Sequence, residues 1–185
     1  GYTPSAGIDE LRAAAAQDLG SRRGLEIRPE DVVVGAGAKP FIAYTIASVT
    51  DYGAGDEVIY PVPGFPIYES QIHANGAVPV PLYLREARDF VFDPAELEAK
   101  ITPQTRLLIL NTPHNPTGAV FGREQLELIG TLAAEHDAVI VTDEVYEHLV
   151  FSGAEHVPMA TLPGRADRTL TISSGGKTFN TTGWK

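Results

Sequence analysis

The stretch Arg106–Gly118, RLLILNTPHNPTG, decides the fold class of this 185-residue chain. Its first part, Arg106–Leu110, is rich in leucine and isoleucine, which is typical of a strand buried on both faces of a parallel sheet. Its second part, Asn111–Gly118, is a loop of proline and polar residues directly after that strand. Because open α/β sheets bind ligands beyond the carboxyl ends of their strands, this loop is also a candidate part of a functional site.

Short strands and helical segments alternate along the rest of the chain. Further strands are predicted at Val32–Val34, Glu57–Tyr60, Val78–Leu82, Val139–Thr142 and Thr169–Ile172. Helices are predicted from Ile8 to about Arg22, from Lys39 to about Thr50, and at Ile67–Ala74, Pro94–Lys100 and Arg123–Glu135, with Asp93 as the N-cap before Pro94. This alternation predicts an α/β fold with a three-layer, doubly wound, mostly parallel sheet in one domain.

The composition limits the class of protein. With 43% hydrophobic residues the chain can bury one sizeable core. The net charge of −10 argues against a nucleic-acid partner, because backbone phosphates must be met by clustered Lys and Arg. No apolar run approaches the length of a membrane span and no secretory signal opens the chain, so we expect a cytoplasmic protein without membrane contact. The chain has no cysteine, which excludes disulfides and a thiolate metal site.

A glycine-rich loop, Gly35–Pro40 (GAGAKP), follows the first predicted strand and leads into a predicted helix. Small residues let backbone N–H groups approach a phosphate, and the helix N-terminus favours its negative charge. An ordinary tight turn is the alternative for this loop, because glycine occurs in turns of every kind.

Two other strand ends carry groups that suit a flat ring. Phe65, held in the proline-rich loop Pro61–Tyr68, can stack on a heteroaromatic ring or simply pack in the core with Tyr68. The Asn115 amide, in a loop stiffened by prolines, can donate to a phenolate or carboxylate oxygen, or the loop can be a surface turn.

Asp143 and Tyr146 follow the predicted strand Val139–Thr142. A carboxylate at a buried strand end is costly unless a positive group meets it, and a protonated pyridine nitrogen is such a group. Tyr146 can offer its hydroxyl to the same ring. The alternatives are an N-cap aspartate and a packing tyrosine. Histidines are expected in loops or at the surface without a catalytic role: His114, His136 and His148.

Lys177 lies in a Gly- and Ser-rich turn after the strand Thr169–Ile172 and looks like an amine held ready to form a Schiff base. Such an amine must be partly neutral, through desolvation or nearby positive charge; the alternative is a solvated surface lysine. Ser174 and Lys185 are near enough in sequence to reach a phosphate. The placement of these groups at successive strand ends favours a site for pyridoxal phosphate (PLP).

Together these motifs resemble those of the class I/II aminotransferases of PLP fold type I, and the resemblance covers essentially all 185 residues. The matching motifs are Tyr2-Thr3-Pro4 with Gly7 and Leu11-Arg12; Gly37-Ala38-Lys39; Pro63–Tyr68; Asn115-Pro116-Thr117-Gly118; Asp143-Glu144-Val145-Tyr146; and Ser174-Gly175-Gly176-Lys177 with Thr182-Gly183-Trp184-Lys185.

The resemblance implies a role for each residue that would touch the cofactor ring. Lys177 would form the internal aldimine, a Schiff base with PLP, and then shuttle the proton between the substrate Cα and the cofactor. Asp143 would keep the ring nitrogen protonated. Tyr146 and Asn115 would bond the phenolic oxygen, and Phe65 would stack on the ring.

The resemblance also implies how the phosphate is bound. The phosphate cup would consist of Gly37, Ala38, Lys39, Ser174 and Lys185. Tyr2 would reach the phosphate of the neighbouring subunit, which implies a homodimer with shared active sites. Many family members carry arginine where this chain has Lys185. The lysine resembles the kynurenine/glutamine transaminase and succinyl-diaminopimelate aminotransferase branches.

The resemblance further implies that residues 1–185 are part of a PLP-binding large domain. The family's N-terminal segment, a last antiparallel sheet strand and the C-terminal small domain would lie outside them. That small domain carries the arginine that binds the substrate carboxylate.

The expected function is PLP-dependent transamination between an L-amino acid and a 2-oxo acid through the Lys177 Schiff base. Three alternatives stay open: a PLP-dependent β-lyase acting on cysteine conjugates, the ligand-sensing domain of a PLP-binding regulator, and a cofactor-binding fragment without turnover. The sequence contains no basic helix-turn-helix segment, which argues against the regulator.

Overall fold

Six strands form one sheet in the order β3-β2-β1-β4-β5-β6 in the computed structural model, which describes residues 2–151 and 153–184. The strands are β1 (Glu57–Val62), β2 (Val78–Arg85), β3 (Val91–Phe92), β4 (Thr105–Asn111), β5 (Val139–Asp143) and β6 (Thr169–Ile172). The helices are α1 (Asp9–Arg23), α2 (Lys39–Val49), α3 (Ile67–Ala74), α4 (Pro94–Lys100), α5 (Arg123–Glu135) and the short α6 (Gly175–Thr178).

The sheet is parallel except at one edge. β2, β1, β4, β5 and β6 are parallel to their neighbours, and β3 pairs with β2 in the antiparallel sense. The strand order reverses between β1 and β4, which are neighbours in the sheet although α3, β2, β3 and α4 separate them in sequence. Such a reversal opens a crevice at the carboxyl ends of the strands. The predicted doubly wound, mostly parallel α/β sheet is confirmed.

The sheet is the middle of three layers, because helices pack against apolar side chains on both of its faces. On one face lies a core that includes Leu97 of α4 and Leu126 of α5. On the other face lies the α2/α3 core, which includes Tyr68 and Ile72 of α3. Successive residues of β4 contribute to the two cores in turn, because neighbouring side chains on a strand point to opposite faces. This explains why the middle of β4 is apolar without interruption.

The helix predictions agree closely with the structure. α3, α4 and α5 have the predicted bounds, and α1 and α2 begin and end within one residue of them. Asp93 caps α4 as predicted, because its Oδ1 accepts the Ala95 N–H at 3.1 Å. Among the described helices, none is both long enough and apolar enough to cross a bilayer.

The prediction of a strand at Val32–Val34 is wrong. This segment is extended but does not join the six-stranded sheet. Its backbone groups bond to the first residues of the chain instead: the Val34 N–H donates to the Ala6 carbonyl at 2.9 Å, and the Val32 carbonyl accepts from Nε of Arg12 at 2.9 Å. The apolar pattern therefore reflected packing against α1 and the segment before it.

Candidate active site

The register of the sheet brings three functional loops to one place. In the β4–β5 ladder Asn111 pairs with Asp143, and in the β5–β6 ladder Asp143 pairs with Ile172. The loop that carries Asn115 and the turn that carries Lys177 therefore begin on either side of Asp143. This is the edge where parallel α/β sheets bind ligands.

Asp143 is a buried carboxylate held by short-range hydrogen bonds. Asp143 is only 5% exposed. Oδ2 accepts the Tyr68 hydroxyl at 2.8 Å, and Oδ1 accepts the Val145 N–H at 3.4 Å. Burial raises the pKa of Asp143 above its usual range, and the two hydrogen bonds and the Lys177 charge only partly oppose that rise. The residues after Asp143 form a turn, so the N-cap interpretation is wrong.

Lys177 lies close to both Asp143 and Tyr146. Its Nζ is 5.6 Å from the centre of the Tyr146 ring, and its charge acts to lower the pKa of Asp143. Lys177 is exposed and lies on α6. Ser174, the N-cap residue of this helix, is half-buried. The predicted amine, aromatic hydroxyl and carboxylate are therefore neighbours in space.

A second aromatic group, Phe65, follows β1, and the amine of Lys39 at the start of α2 lies near it. Phe65 is half-buried and packs edge-on against Tyr68, with 6.0 Å between ring centroids. Lys39 Nζ lies 5.4 Å from the centre of the Phe65 ring. Phe65, Tyr146 and Ala38 all pack against the α2/α3 core, so residues from three separate motifs share this side of the sheet.

The N-terminus of α2 is the one predicted to bind a phosphate. Gly37 has φ +91°, a conformation that favours glycine, and its N–H donates to the Gly35 carbonyl at 2.9 Å. Ala38 is the N-cap residue and has no polar side chain with which to bond the first N–H groups of the helix. An anion at this position would meet those N–H groups and the positive end of the helix dipole.

The Asn115 loop is fastened to β5 through Asn111. The Asn115 N–H donates to Oδ1 of Asn111 at 2.8 Å, and Nδ2 of Asn111 donates to the Asp143 carbonyl at 2.9 Å. The peptide bonds before Pro113 and Pro116 are cis. Asn115 itself is half-buried.

His114 is in a loop, but it is not at the surface as the sequence suggested. It is 3% exposed, and its Nδ1 lies 2.7 Å from the Thr117 hydroxyl. Burial lowers the pKa of His114 to about 4, against a smaller opposite effect of the Pro63 carbonyl. His114 is therefore neutral at physiological pH, and its contact with Thr117 links two residues of the loop that carries Asn115.

Two of the predicted residues are not brought into this cluster by the described structure. The Tyr2 side chain is fully exposed. Lys185 lies outside the described residues.

The hydrogen bond between Tyr68 and Asp143 was not predicted from the sequence. Neither was a buried ionic cluster next to Asp143, in which Glu144, Glu147 and His156 offer ligand atoms within 4.8 Å of one another. Arg23 takes the place that a metal ion would need, because its Nη2 lies 2.9 Å from Glu144 and 2.7 Å from Glu147. The cluster is therefore a buried salt-bridge network.

The fold is that of the large domain of PLP-dependent aminotransferases. The chain belongs to the family described as aminotransferase class I and II, whose sequence model matches residues 1–185. Enzymes of this family depend on PLP, use amino acids and 2-oxo acids as substrates, and are generally dimeric.

Individual relatives agree with this membership. The chain is 43% identical to mouse kynurenine–oxoglutarate transaminase 3 over 194 aligned residues, which cover 100% of the chain and 42% of the mouse protein. It is 42% identical to a bifunctional aspartate aminotransferase and glutamate/aspartate-prephenate aminotransferase from Petunia hybrida, covering 100% of the chain and 38% of that protein.

Among solved structures, the chain is similar to N-succinyldiaminopimelate aminotransferase from Mycobacterium tuberculosis, with a TM-score of 0.94 and 41% identity. This match covers 100% of the chain and 48% of the mycobacterial one. The chain thus spans less than half the length of the relatives that it matches.

Proposed function

We propose that the protein is a PLP-dependent aminotransferase that transfers an amino group from an L-amino acid to a 2-oxo acid. The observation that carries the proposal is that Lys177 and buried Asp143 follow neighbouring strands, with Lys177 Nζ 5.6 Å from the centre of the Tyr146 ring. Family membership makes this the expected activity of such an arrangement. We propose residues 1–185 as the PLP-binding part of the molecule; its cytoplasmic location stays a prediction.

The chemistry of the available groups fits PLP. An ionised carboxylate as buried as Asp143 costs free energy unless a positive group meets it, and the protonated pyridine nitrogen of PLP is such a group. Phe65 offers a ring face, and the N-terminus of α2 offers N–H groups to a phosphate. Ala38 at that N-terminus and Phe65 both pack against the α2/α3 core, which puts the two features on the same side of the sheet.

When bound, PLP supplies an electron sink that stabilises negative charge at the substrate Cα. In this proposal Asp143 holds the proton on the pyridine nitrogen. Lys177 Nζ would hold the cofactor at its carbonyl carbon, and it would take up the proton that leaves the substrate Cα. The Tyr146 hydroxyl and the Asn115 amide donate to the phenolic oxygen, which orients the ring.

The phosphate would be bound by groups on two elements. At the N-terminus of α2 these are the backbone of Gly37 and Ala38 and the ammonium of Lys39. Beyond β6 they are Ser174 and Lys185. We further propose a homodimer in which Tyr2 reaches the phosphate of the partner subunit. The full exposure of the Tyr2 side chain in one chain is compatible with such a contact.

The test begins with cofactor capture. The protein is incubated with PLP, reduced with borohydride, digested and analysed by mass spectrometry. The cofactor should be fixed to Lys177, and Lys177→Ala should abolish the modification. Lys100→Ala is the matched control. Lys100 is paired with Glu96 on α4, which packs beside β2, and β1, β4 and β5 separate β2 from β6 in the sheet. This substitution should therefore leave trapping unchanged.

Turnover distinguishes the alternatives. An amino donor with a 2-oxo acid should yield the exchanged pair of products. Formation of pyruvate and ammonia from a β-substituted donor would instead identify a lyase. Stable cofactor binding with no product from any donor would contradict the proposal and favour a regulatory or purely binding role.

A further inference from the structure

Tyr68 makes a buried hydrogen bond to the carboxylate that the proposed function places against the cofactor. Its hydroxyl donates to Oδ2 of Asp143 at 2.8 Å, and both residues are buried, Tyr68 completely. Tyr68 lies on α3 and Asp143 at the end of β5, so the bond joins a helix of the α2/α3 core to the sheet.

We propose that Tyr68 is a positioning residue that keeps the proton on the pyridine nitrogen by making Asp143 a weaker base. This inference rests on the proposed function. A carboxylate that accepts a hydrogen bond is stabilised in its ionised form. In a pair of Asp143 and a pyridinium, the shared proton then stays on the ring nitrogen. Without the donor, Asp143 is more basic and the proton moves towards Oδ.

The surroundings of the pair require such a donor. Burial favours the neutral acid, and the neighbouring charge of Glu144 acts in the same direction. The Val145 N–H at 3.4 Å is too long to compensate fully, and the Lys177 charge is the other opposing influence. The Tyr68 hydroxyl at 2.8 Å is therefore the strongest hydrogen bond that keeps Asp143 ionised.

Tyr68 is also a dependable donor. Burial raises the pKa of its hydroxyl, and the neighbouring Asp143 charge raises it further. The hydroxyl thus stays protonated across the whole working range of pH. The ring is fixed by its edge-on contact with Phe65, so the hydroxyl has little freedom to turn away.

Tyr68→Phe separates this role from packing, because the ring stays and only the hydroxyl is lost. Tyr60→Phe is the matched control. Tyr60 is buried in the same core at 6% exposure, and the charge that acts on its hydroxyl is that of Glu69 rather than that of Asp143. A purely structural contribution of a buried hydroxyl should affect both variants alike.

The main readout is the NMR chemical shift of PLP isotope-labelled at the ring nitrogen and bound to the protein. In the unchanged protein the shift should be that of a pyridinium. In Tyr68→Phe it should move towards that of unprotonated pyridine, and kcat should fall roughly ten- to hundredfold with little change in KM, as expected for loss of a hydrogen bond to a charged group. Tyr60→Phe should leave the shift and kcat unchanged.

A second variant guards against misfolding of Tyr68→Phe. Fluorotyrosine at position 68 keeps the ring and the hydroxyl but makes the hydroxyl a stronger donor, so the shift should stay at or beyond the pyridinium value. An unchanged shift and unchanged kcat in a folded, PLP-loaded Tyr68→Phe protein would overturn this inference and leave the proposed function standing. Failure of the unchanged protein to bind PLP would overturn both.

Discussion

The Ser173 hydroxyl donates a 2.8 Å hydrogen bond to Oε1 of Glu147, which joins the residue after β6 to the turn after β5. The other oxygen of Glu147 accepts from Arg23 at 2.7 Å. Burial raises the pKa of Glu147, but the Arg23 charge and the two hydrogen bonds outweigh burial, and the net pKa is lowered. Ionised Glu147 therefore holds together the two turns that carry Tyr146 and Ser174.

Glu147→Ala should lower the free energy of unfolding by about 2 kcal/mol. Removing one member of a buried ion pair is costly, and here Arg23 retains Glu144 as a partner, which keeps the loss below that of a fully stranded charge. Chemical denaturation measures the change. Glu127→Ala is the control: its pair with Arg123 is exposed and 3.8 Å long, so the loss should stay below about 0.5 kcal/mol. Equal losses would contradict a special role for Glu147.

Asp143→Asn should have opposite effects with and without PLP. Because burial raises the pKa of Asp143, its ionised form destabilises the cofactor-free protein above that pKa, and the effect disappears as the pH falls through it. At neutral pH the cofactor-free variant should therefore gain about 0.5–2 kcal/mol, as removal of a strained functional group commonly does. Its affinity for PLP should fall, because the partner of the pyridinium is lost.

Thermal unfolding of both forms and PLP titration check this prediction. Asp56→Asn is the control, since Asp56 is buried but its pKa is lowered by the Asp51 N–H and by Arg106, despite burial. That substitution should destabilise the protein. A cofactor-free Asp143→Asn protein less stable than the unchanged one would refute the argument.

His114 should make the protein labile in mild acid. The pKa of His114 falls from 6.5 to about 4 on folding because of burial, so the unfolded chain binds a proton that the folded one rejects. Stability should be complete above pH 6.5 and decrease as the pH falls from 6.5 to about 4. The full loss is roughly 3 kcal/mol at most.

Denaturation at several pH values in that window, with His114→Gln, measures this contribution. The variant should lose the pH dependence, even if it is less stable at neutral pH. His73→Gln is the control, because the His73 side chain is 61% exposed. An unaltered pH profile in His114→Gln would show that another group causes the acid lability.

Gly64→Ala should weaken PLP binding by displacing the loop that carries Phe65. A Cβ at Gly64 would overlap the Pro61 carbonyl oxygen, which belongs to the backbone and cannot move aside without shifting the loop. Because small misplacement of a binding group is expensive, we expect the dissociation constant to rise about tenfold or more. Fluorescence titration with PLP measures it.

Gly122→Ala is suited as the comparison. Its Cβ would meet only the end of the flexible Gln125 side chain, which can turn away. That variant should bind PLP normally. If both variants bind alike, the position of the Phe65 loop does not limit cofactor affinity.

Much of the fold follows from local signals in the sequence. The Asp93 cap before Pro94 marks the start of α4, and an apolar stripe on α5 marks its length, since both patterns depend only on nearby residues. Sheet membership is different. Val32–Val34 has the composition of a strand, but whether it pairs depends on what lies beside it, and here α1 does.

The site was predictable to the extent that strand ends meet at one edge. That rule predicts that Asn115, Asp143 and Lys177 lie together at this edge. It could not find the bond between Tyr68 and Asp143, which are 75 residues apart and meet because a helix packs at one particular angle. The burial of His114 was missed for the same reason.

The reversal of strand order between β1 and β4 has a consequence for how the molecule could be divided. Every site residue up to Tyr68 precedes the turn at 101–104, and every one from Asn115 onwards follows it. Cleavage there would give two pieces, each with one wall of the crevice and one exposed central strand. Pairing of β1 with β4 would restore sheet and crevice in a single event, so recovery of PLP binding would report reassembly of the two halves.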